Sequence, residues 1–157
     1  MAKENLEIYL NDHLAGSVVA LELLEDLERE GTGITKSLAE LRADIEADRN
    51  DLKGLMDRLG ISESHTRKIS GWLTEKVARI KMRVDDKAGG SLRLLESLEA
   101  IALGIHGKLA LWLALSAISD ISPELRSVDY EVLAHRAQEQ RQRVEILRLN
   151  AAKAALA

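Results

Sequence analysis

Residues 91–119 read SLRLLESLEAIALGIHGKLALWLALSAIS. Wound as a helix, one face collects Leu95, Leu98, Ala102, Leu109 and Leu113, and the opposite face collects Gly104, Gly107, Leu111, Leu115 and Ile118. A helix that is apolar on two sides is buried on two sides, so this segment calls for a bundle that supplies neighbours on both flanks. The second face is covered either by another helix of the same chain or by a second copy, through a homodimer contact over Gly104, Gly107, Leu111 and Leu115. A spare helix is at hand, so internal packing is the favoured expectation. The longest apolar run, Leu109 to Ile118 broken only by Ser116, is too short to span a bilayer.

Outward from this segment, four more amphipathic stretches complete the chain. The first spans about Lys3 to Glu30 on Leu6, Leu10, Leu14, Ala20, Leu24 and Leu27, and ends at Gly31-Thr32-Gly33. The second spans about Ile34 to Leu59 on Leu38, Leu41, Ile45, Leu52, Met56 and Leu59, with Gly60 placed as a C-terminal stop. The third runs from a cap at Ser62 or Ser64 to about Val84 on Ile69, Leu73, Val77, Ile80 and Val84. Ser122-Pro123, or a second start at Ser127, opens the last, which continues to about Ala155 on Leu133, Ala137, Val144, Leu147 and Ala151. The short links predict two antiparallel hairpins. The third helix is either the crossover between them, as in ferritin-like four-helix bundles, or one more member of an up-and-down bundle, and the crossover is the favoured expectation. The fold class expected is therefore all-α, in a single domain over residues 1–157.

Composition agrees and narrows the function. Phe and Cys are absent and Pro occurs once, which favours helices and excludes thiolate metal sites, Cys nucleophiles and disulfides. A net charge of −4 argues against a general nucleic-acid binder. The N-terminus lacks the basic and apolar regions of a secretory signal, and a cytoplasmic location is the default expectation.

Five polar residues fall where the core should be. His13 lies between Leu10 and Leu24 on the first helix. Asp48 takes the heptad position that Leu41 and Leu55 occupy on the second. Glu99 and His106 flank Ala102 on the fourth, and Gln140 interrupts the stripe between Ala137 and Val144 on the fifth. Pairing the first two helices about Thr32 brings Asp48 opposite Gly16, within reach of His13. Unpaired buried charge is costly, so these groups are expected to meet one another. One reading is a transition-metal site, iron or another, on His13, Asp48, Glu99 and His106. The other is a hydrogen-bonded network of His13, Asp48, Glu99, His106 and Gln140 that fixes helix register and binds no cofactor. The second is favoured. Glu99 and His106 stand about 10 Å apart along the axis. In addition, no His has Glu three residues before it; Leu10, Ser62, Leu103 and Val132 hold those places, so the Glu-x-x-His unit of bundle di-iron sites is missing. Glu131 and His135 share a face opposite Leu133 and read as a solvated pair.

The third helix carries a basic flank of Lys68, Lys76, Arg79 and Arg83 around Trp72. Residues 62–87 hold seven Lys/Arg against four Asp/Glu, whereas residues 1–60 hold seven against fourteen. Complementarity between this helix and the acidic first hairpin accounts for the bias; an anion-binding module is the alternative.

Tyr9-Leu-Asn-Asp-His13-Leu-Ala-Gly16, Asp48 with the Leu59-Gly60 stop, Gly107-Lys108, and Arg148-Leu-Asn-Ala-Ala152 together resemble small bacterial helical-bundle proteins related to the ferritin-like superfamily. The likeness covers nearly the whole chain and brings no activity with it. The wider superfamily implies an inward carboxylate–histidine iron site. In this chain His13 stands where the first helix would offer Glu, Asp48 stands alone where Glu-x-x-His would be, and Gln140 replaces the last helix's ligands. The function expected is a non-catalytic ferritin-like bundle with a stress-related or interaction role. A divergent metal-dependent oxidoreductase is the alternative.

Overall fold

The computed structural model describes residues 2–64, 71–82 and 90–157, with the side chains of 71–73 excepted. Within these limits the chain is helical throughout: α1 (Ala2–Arg29), α2 (Thr35–Arg58), α3 (Gly71–Met82), α4 (Gly90–Ile118) and α5 (Tyr130–Leu156), with a 3₁₀ turn at Pro123–Leu125. No strand occurs among the described residues.

Local chemistry sets the ends. Gly31 and Gly60 adopt φ of 65° and 66°, the left-handed region that a side chain would strain. At Gly60 its own N–H donates to the Asp57 carbonyl and the Ile61 N–H to Met56, which closes α2 as a Schellman motif. The restart expected at Ser122-Pro123 makes only the 3₁₀ turn. α5 begins later, where the Asp129 carboxylate accepts from the Val132 N–H. The expected caps of the third helix precede residues outside those described.

Cross-helix pairs give the helix directions. Asn11, near the start of α1, donates to the Ser62 carbonyl at 3.2 Å and accepts from the Ser64 N–H at 2.7 Å, just beyond the end of α2. At the opposite end of the bundle, Glu30 pairs with the buried Arg93 near the start of α4. Arg93 Nε also donates to the Ile80 carbonyl of α3 at 3.1 Å. Asp44 of α2 meets Arg143 of α5, and Asp48 meets Arg136. α1 therefore runs antiparallel to α2 and to α4, and α2 antiparallel to α5.

The core falls into two clusters. One joins Leu10, Leu14, Leu52, Leu55, Met56, Trp112, Leu115 and Leu133. The other joins Leu23, Leu24, Leu38, Leu41, Ile45, Leu98, Ile101, Ile105 and Val144. Along every long helix the boundary passes through the same level: after Leu14 in α1, at Asp48 in α2, between Ile105 and Leu109 in α4, and at Gln140 in α5.

α4 faces the core differently from its expected wheel. Leu95, Leu98 and Leu109 of the first expected face are buried, but so are Ile101, Ile105, Leu111, Trp112 and Leu115, while Leu113 is 54% exposed and Leu103 49%. Leu111 and Leu115, proposed for a homodimer contact, are each 1% exposed inside this chain's own core and are not free to meet a second copy. Of that foursome only Gly104 and Gly107 reach the surface. The physical reason is that α4 has hardly any polar face from which its rotation could be read. By length and composition alone it is long and apolar enough to cross a membrane, with mean hydropathy 1.7 in its most apolar window and a third of that window buried in the bundle.

Rotation of α4 is directly testable. Leu98→Ala removes a fully buried side chain and is expected to cost about 2–5 kcal/mol. Leu113→Ala, on the exposed side, is expected to change stability by less than about 0.5 kcal/mol. Urea unfolding of the two variants measures both, and the reverse order would mean that α4 is turned the other way.

Candidate functional site

A buried polar layer sits at the boundary between the two apolar clusters. Asp48 is 1% exposed and lies among three donors. Lys108 Nζ of α4 donates to Oδ2, Arg136 of α5 donates to Oδ1, and Gln140 Nε2 donates to Oδ2 at 2.8 Å. Gln140 returns the contact by accepting from Lys108 through Oε1. One carboxylate thereby ties α2, α4 and α5 together, and each of its oxygens is engaged. Arg136 continues outward to Asp51 at 3.1 Å, where the pair reaches solvent. Burial pushes the Lys108 ammonium below the ordinary lysine range, with the attraction of Asp48 acting against that push.

Beside this layer, between α1, α2 and α4, lies a cavity of about 310 Å³. Val19, Ala20, Ile45, Leu52 and Leu111 supply apolar wall, and Asp48 and Lys108 supply its polar floor. Gly16, Gly104 and Gly107 complete the lining. A Cβ added at Gly16 or Gly107 would meet nothing within 4 Å, and at Gly104 only the Ala20 Cβ at 3.9 Å. These three glycines hold open space; no backbone packs against them. Each costs roughly 0.5–1 kcal/mol of helix stability relative to alanine.

Two wall residues carry buried donors that lack partners among the described residues: Trp112 Nε1 and Arg49 Nε. Trp112 is 1% exposed, so no surface water satisfies its indole N–H. Neither residue stands out in the sequence patterns, nor does Lys108 beyond its place in Gly107-Lys108. Trp112 lies within an unbroken apolar run, and Arg49 and Lys108 are ordinary charges on an amphipathic helix.

Structure divides the predicted interior set. Asp48 and Gln140 are buried and bonded to each other, as the heptad pattern required. His13 lines the cavity with Asp48, half-buried, its ring edge-on to Tyr9 with centroids 4.6 Å apart. The expected His13–Asp48 hydrogen bond is not made; Lys108, Arg136 and Gln140 take Asp48 instead. Glu99 and His106 lie elsewhere, lining an outer groove between α4 and α5 with Lys76, Arg141 and Arg148. Glu99 pairs there with Arg148 at 3.6 Å and Lys76 at 3.9 Å, and His106 is exposed. The single layer expected for His13, Asp48, Glu99 and His106 is thus two separate places, because α4 turns Glu99 and His106 to the groove, with Ala102 at its edge and only partly buried against the second cluster.

That separation bears on the metal reading. Among the described residues no three His, Asp or Glu side chains come together in a metal-holding group. Asp48, the buried carboxylate of the set, already faces two cations, which disfavours a third. Of the basic flank, Lys68 and Arg83 and the side chain of Trp72 lie outside what is described. Lys76 pairs with Glu99, and Arg79 with Glu75 at 3.1 Å, so the described cations are matched within the chain. Comparison with family models, with curated proteins and with solved structures finds no match to this chain.

Asp48→Ala would strand Lys108 and Arg136 and is expected to lower stability by about 3–5 kcal/mol. Replacing the buried members together, Asp48→Leu with Lys108→Met and Gln140→Leu, while Arg136 keeps its solvent-reaching partner Asp51, should recover most of that loss; chemical denaturation of both proteins checks it. His13 provides a pH test. Burial lowers its pKa, opposed in part by Asp12, so the fold favours neutral imidazole. As pH falls below the unfolded-state value near 6.5, the unfolded chain takes up the proton first, and stability declines until the folded value is passed. His13→Gln should flatten the stability profile in that window, leaving only the carboxylate-driven fall at lower pH.

Proposed function

We propose that this protein is a non-catalytic helical bundle that binds a small ligand with an apolar body in the cavity between α1, α2 and α4. The observation that carries the reading is the convergence of three helix-interior glycines on one open space. Mid-helix glycine is destabilising, and at these positions no close packing compensates for it. A volume near 300 Å³ with apolar walls and a few polar groups falls at the small end of ligand sites. The charged groups at the floor, Asp48 and Lys108, are committed to one another and to Gln140, which favours a fixed binding surface over proton transfer.

The helix course supports a ferritin-like arrangement within this proposal. α2 and α4 run in the same sense, so the end of α2 and the start of α4 lie at opposite ends of the bundle, the arrangement that a crossover connection requires. In this reading a salt-bridged layer and a glycine-walled cavity occupy the interior space that ferritin-like bundles devote to metal ligands. The role is that of a carrier, sensor or interaction module in place of an oxidoreductase.

Thermal unfolding with a saturating neutral probe such as toluene tests cavity binding without assuming a head group. Binding to the folded state alone raises the midpoint, by about 2–4 °C for each kcal/mol in a chain of this size. The wild-type protein should respond. Gly107→Leu and Gly16→Leu, which fill the cavity, should fold as well as wild type and respond little. An equal response in the filled variants, or none in wild type, would contradict the reading.

A further inference from the structure

We infer that the ligand is a small aliphatic alcohol, its hydroxyl held by His13 and Ser17 of α1 and its hydrocarbon body set against the apolar wall. This rests on the reading that the cavity binds a ligand at all. The polar groups of the lining decide the chemistry. Asp48 and Lys108 are committed to one another, with Gln140 shared between them. Trp112 Nε1 and Arg49 Nε have almost no accessible surface, so neither donor meets a ligand in the cavity. His13 and Ser17 remain, one turn apart on the same face of α1 and both only partly buried. The Ser17 hydroxyl donates to the Leu14 carbonyl at 2.6 Å, which leaves its oxygen as an acceptor. Neither ring nitrogen of His13 has a hydrogen-bond partner among the described residues, and neither is sealed from solvent. Burial favours the neutral ring, so one nitrogen donates and the other accepts.

The charges of the lining balance, Asp12 and Asp48 against Arg49 and Lys108. A charged head group therefore meets no excess of the opposite sign in return for the water it gives up. Asp12 is in addition exposed, where water screens it. A hydroxyl answers the two groups that remain. Its O–H donates to the Ser17 oxygen or to the bare ring nitrogen, and its oxygen accepts from the ring N–H. An ether accepts but cannot donate, and leaves both acceptors unanswered. The rest of the wall, Val19, Ala20, Ile45, Leu52 and Leu111, favours a hydrocarbon body. An apolar cavity of about 150 Å³ takes a benzene ring, so about 310 Å³ holds about a dozen non-hydrogen atoms. A medium-chain alcohol such as octan-1-ol comes within that size.

Calorimetric titration at neutral pH with octan-1-ol, its isostere 1-methoxyheptane, octanoate and octylamine separates the possibilities. Octanol should bind about fivefold or more tightly than the ether, the difference that one donated hydrogen bond supplies, and about tenfold or more tightly than either ion. His13→Phe with Ser17→Ala keeps a ring against Tyr9 and removes the polar atoms. That variant, checked for native helicity by circular dichroism, should bind octanol and the ether within about twofold of one another. The octanol preference of the unmodified protein is decisive by itself, so a misfolded variant would not shelter the inference. The ether, octanoate or octylamine binding as tightly as octanol would overturn the alcohol assignment and leave the cavity reading intact. An octanol preference that survives in the folded variant would place the hydroxyl elsewhere and overturn the assignment too. A response to toluene with no binding of octanol would do the same. No binding of any of the four, with no response to toluene, would remove the underlying reading as well.

Discussion

Asp48 places a carboxylate at 1% exposure, and the molecule is arranged around satisfying its charge. Lys108, Arg136 and Gln140 arrive from two other helices to do so. An isolated buried carboxylate costs several kcal/mol, and a paired one roughly breaks even against hydrocarbon. What the pairing provides is register. A sliding or rotated α2, α4 or α5 would strand a charge, whereas a sliding leucine stripe only exchanges one apolar contact for another. The two apolar clusters on either side are built largely from Leu, Ile and Ala, a composition that by itself tolerates several packings.

The same level of the bundle is also where packing density is given up. Gly16 stands at the cluster boundary in α1 and Gly107 precedes Lys108 in α4, so polar layer and cavity are neighbours. The charged groups hold α4 near α2 and α5, and the glycines leave the space beside them unfilled. Rigid walls and an open interior are compatible only because the clusters above and below are closely packed and the ends are tied. Asn11 secures one end against the loop after α2, and Arg93 secures the other against Glu30 and the carbonyl of Ile80.

Legibility in the sequence varies with the helix. α1 and α2 alternate polar and apolar residues clearly, and their core stripes stand nearly as expected, Asp48 included. Gln140 is equally legible, since it breaks an otherwise regular stripe on α5. α4 is not. With leucine or alanine on almost every side, its wheel admits several rotations, and the one expected places Ala102 and His106 inward and leaves Trp112 unremarked. The error carries Glu99 and His106 into the wrong layer. Lys108 and Arg136 escape notice for a different reason: a long cationic side chain looks solvated in sequence and reveals its inward reach only when a buried carboxylate lies within range. Arg93 and Asn11, both buried by their contacts at helix ends, give no periodic signal at all.

The Asp48 layer is most directly examined by ¹⁵Nζ NMR of the lysine side chains at neutral pH. A Lys108 ammonium donating to Asp48 and Gln140 should give more slowly exchanging Hζ signals than surface lysines, resolved from theirs, and should lose its proton at lower pH than they do. A Lys108 resonance that exchanges with solvent as fast as the rest, and titrates with them, would place the ammonium in water and leave Asp48 without the partner that this architecture assigns to it.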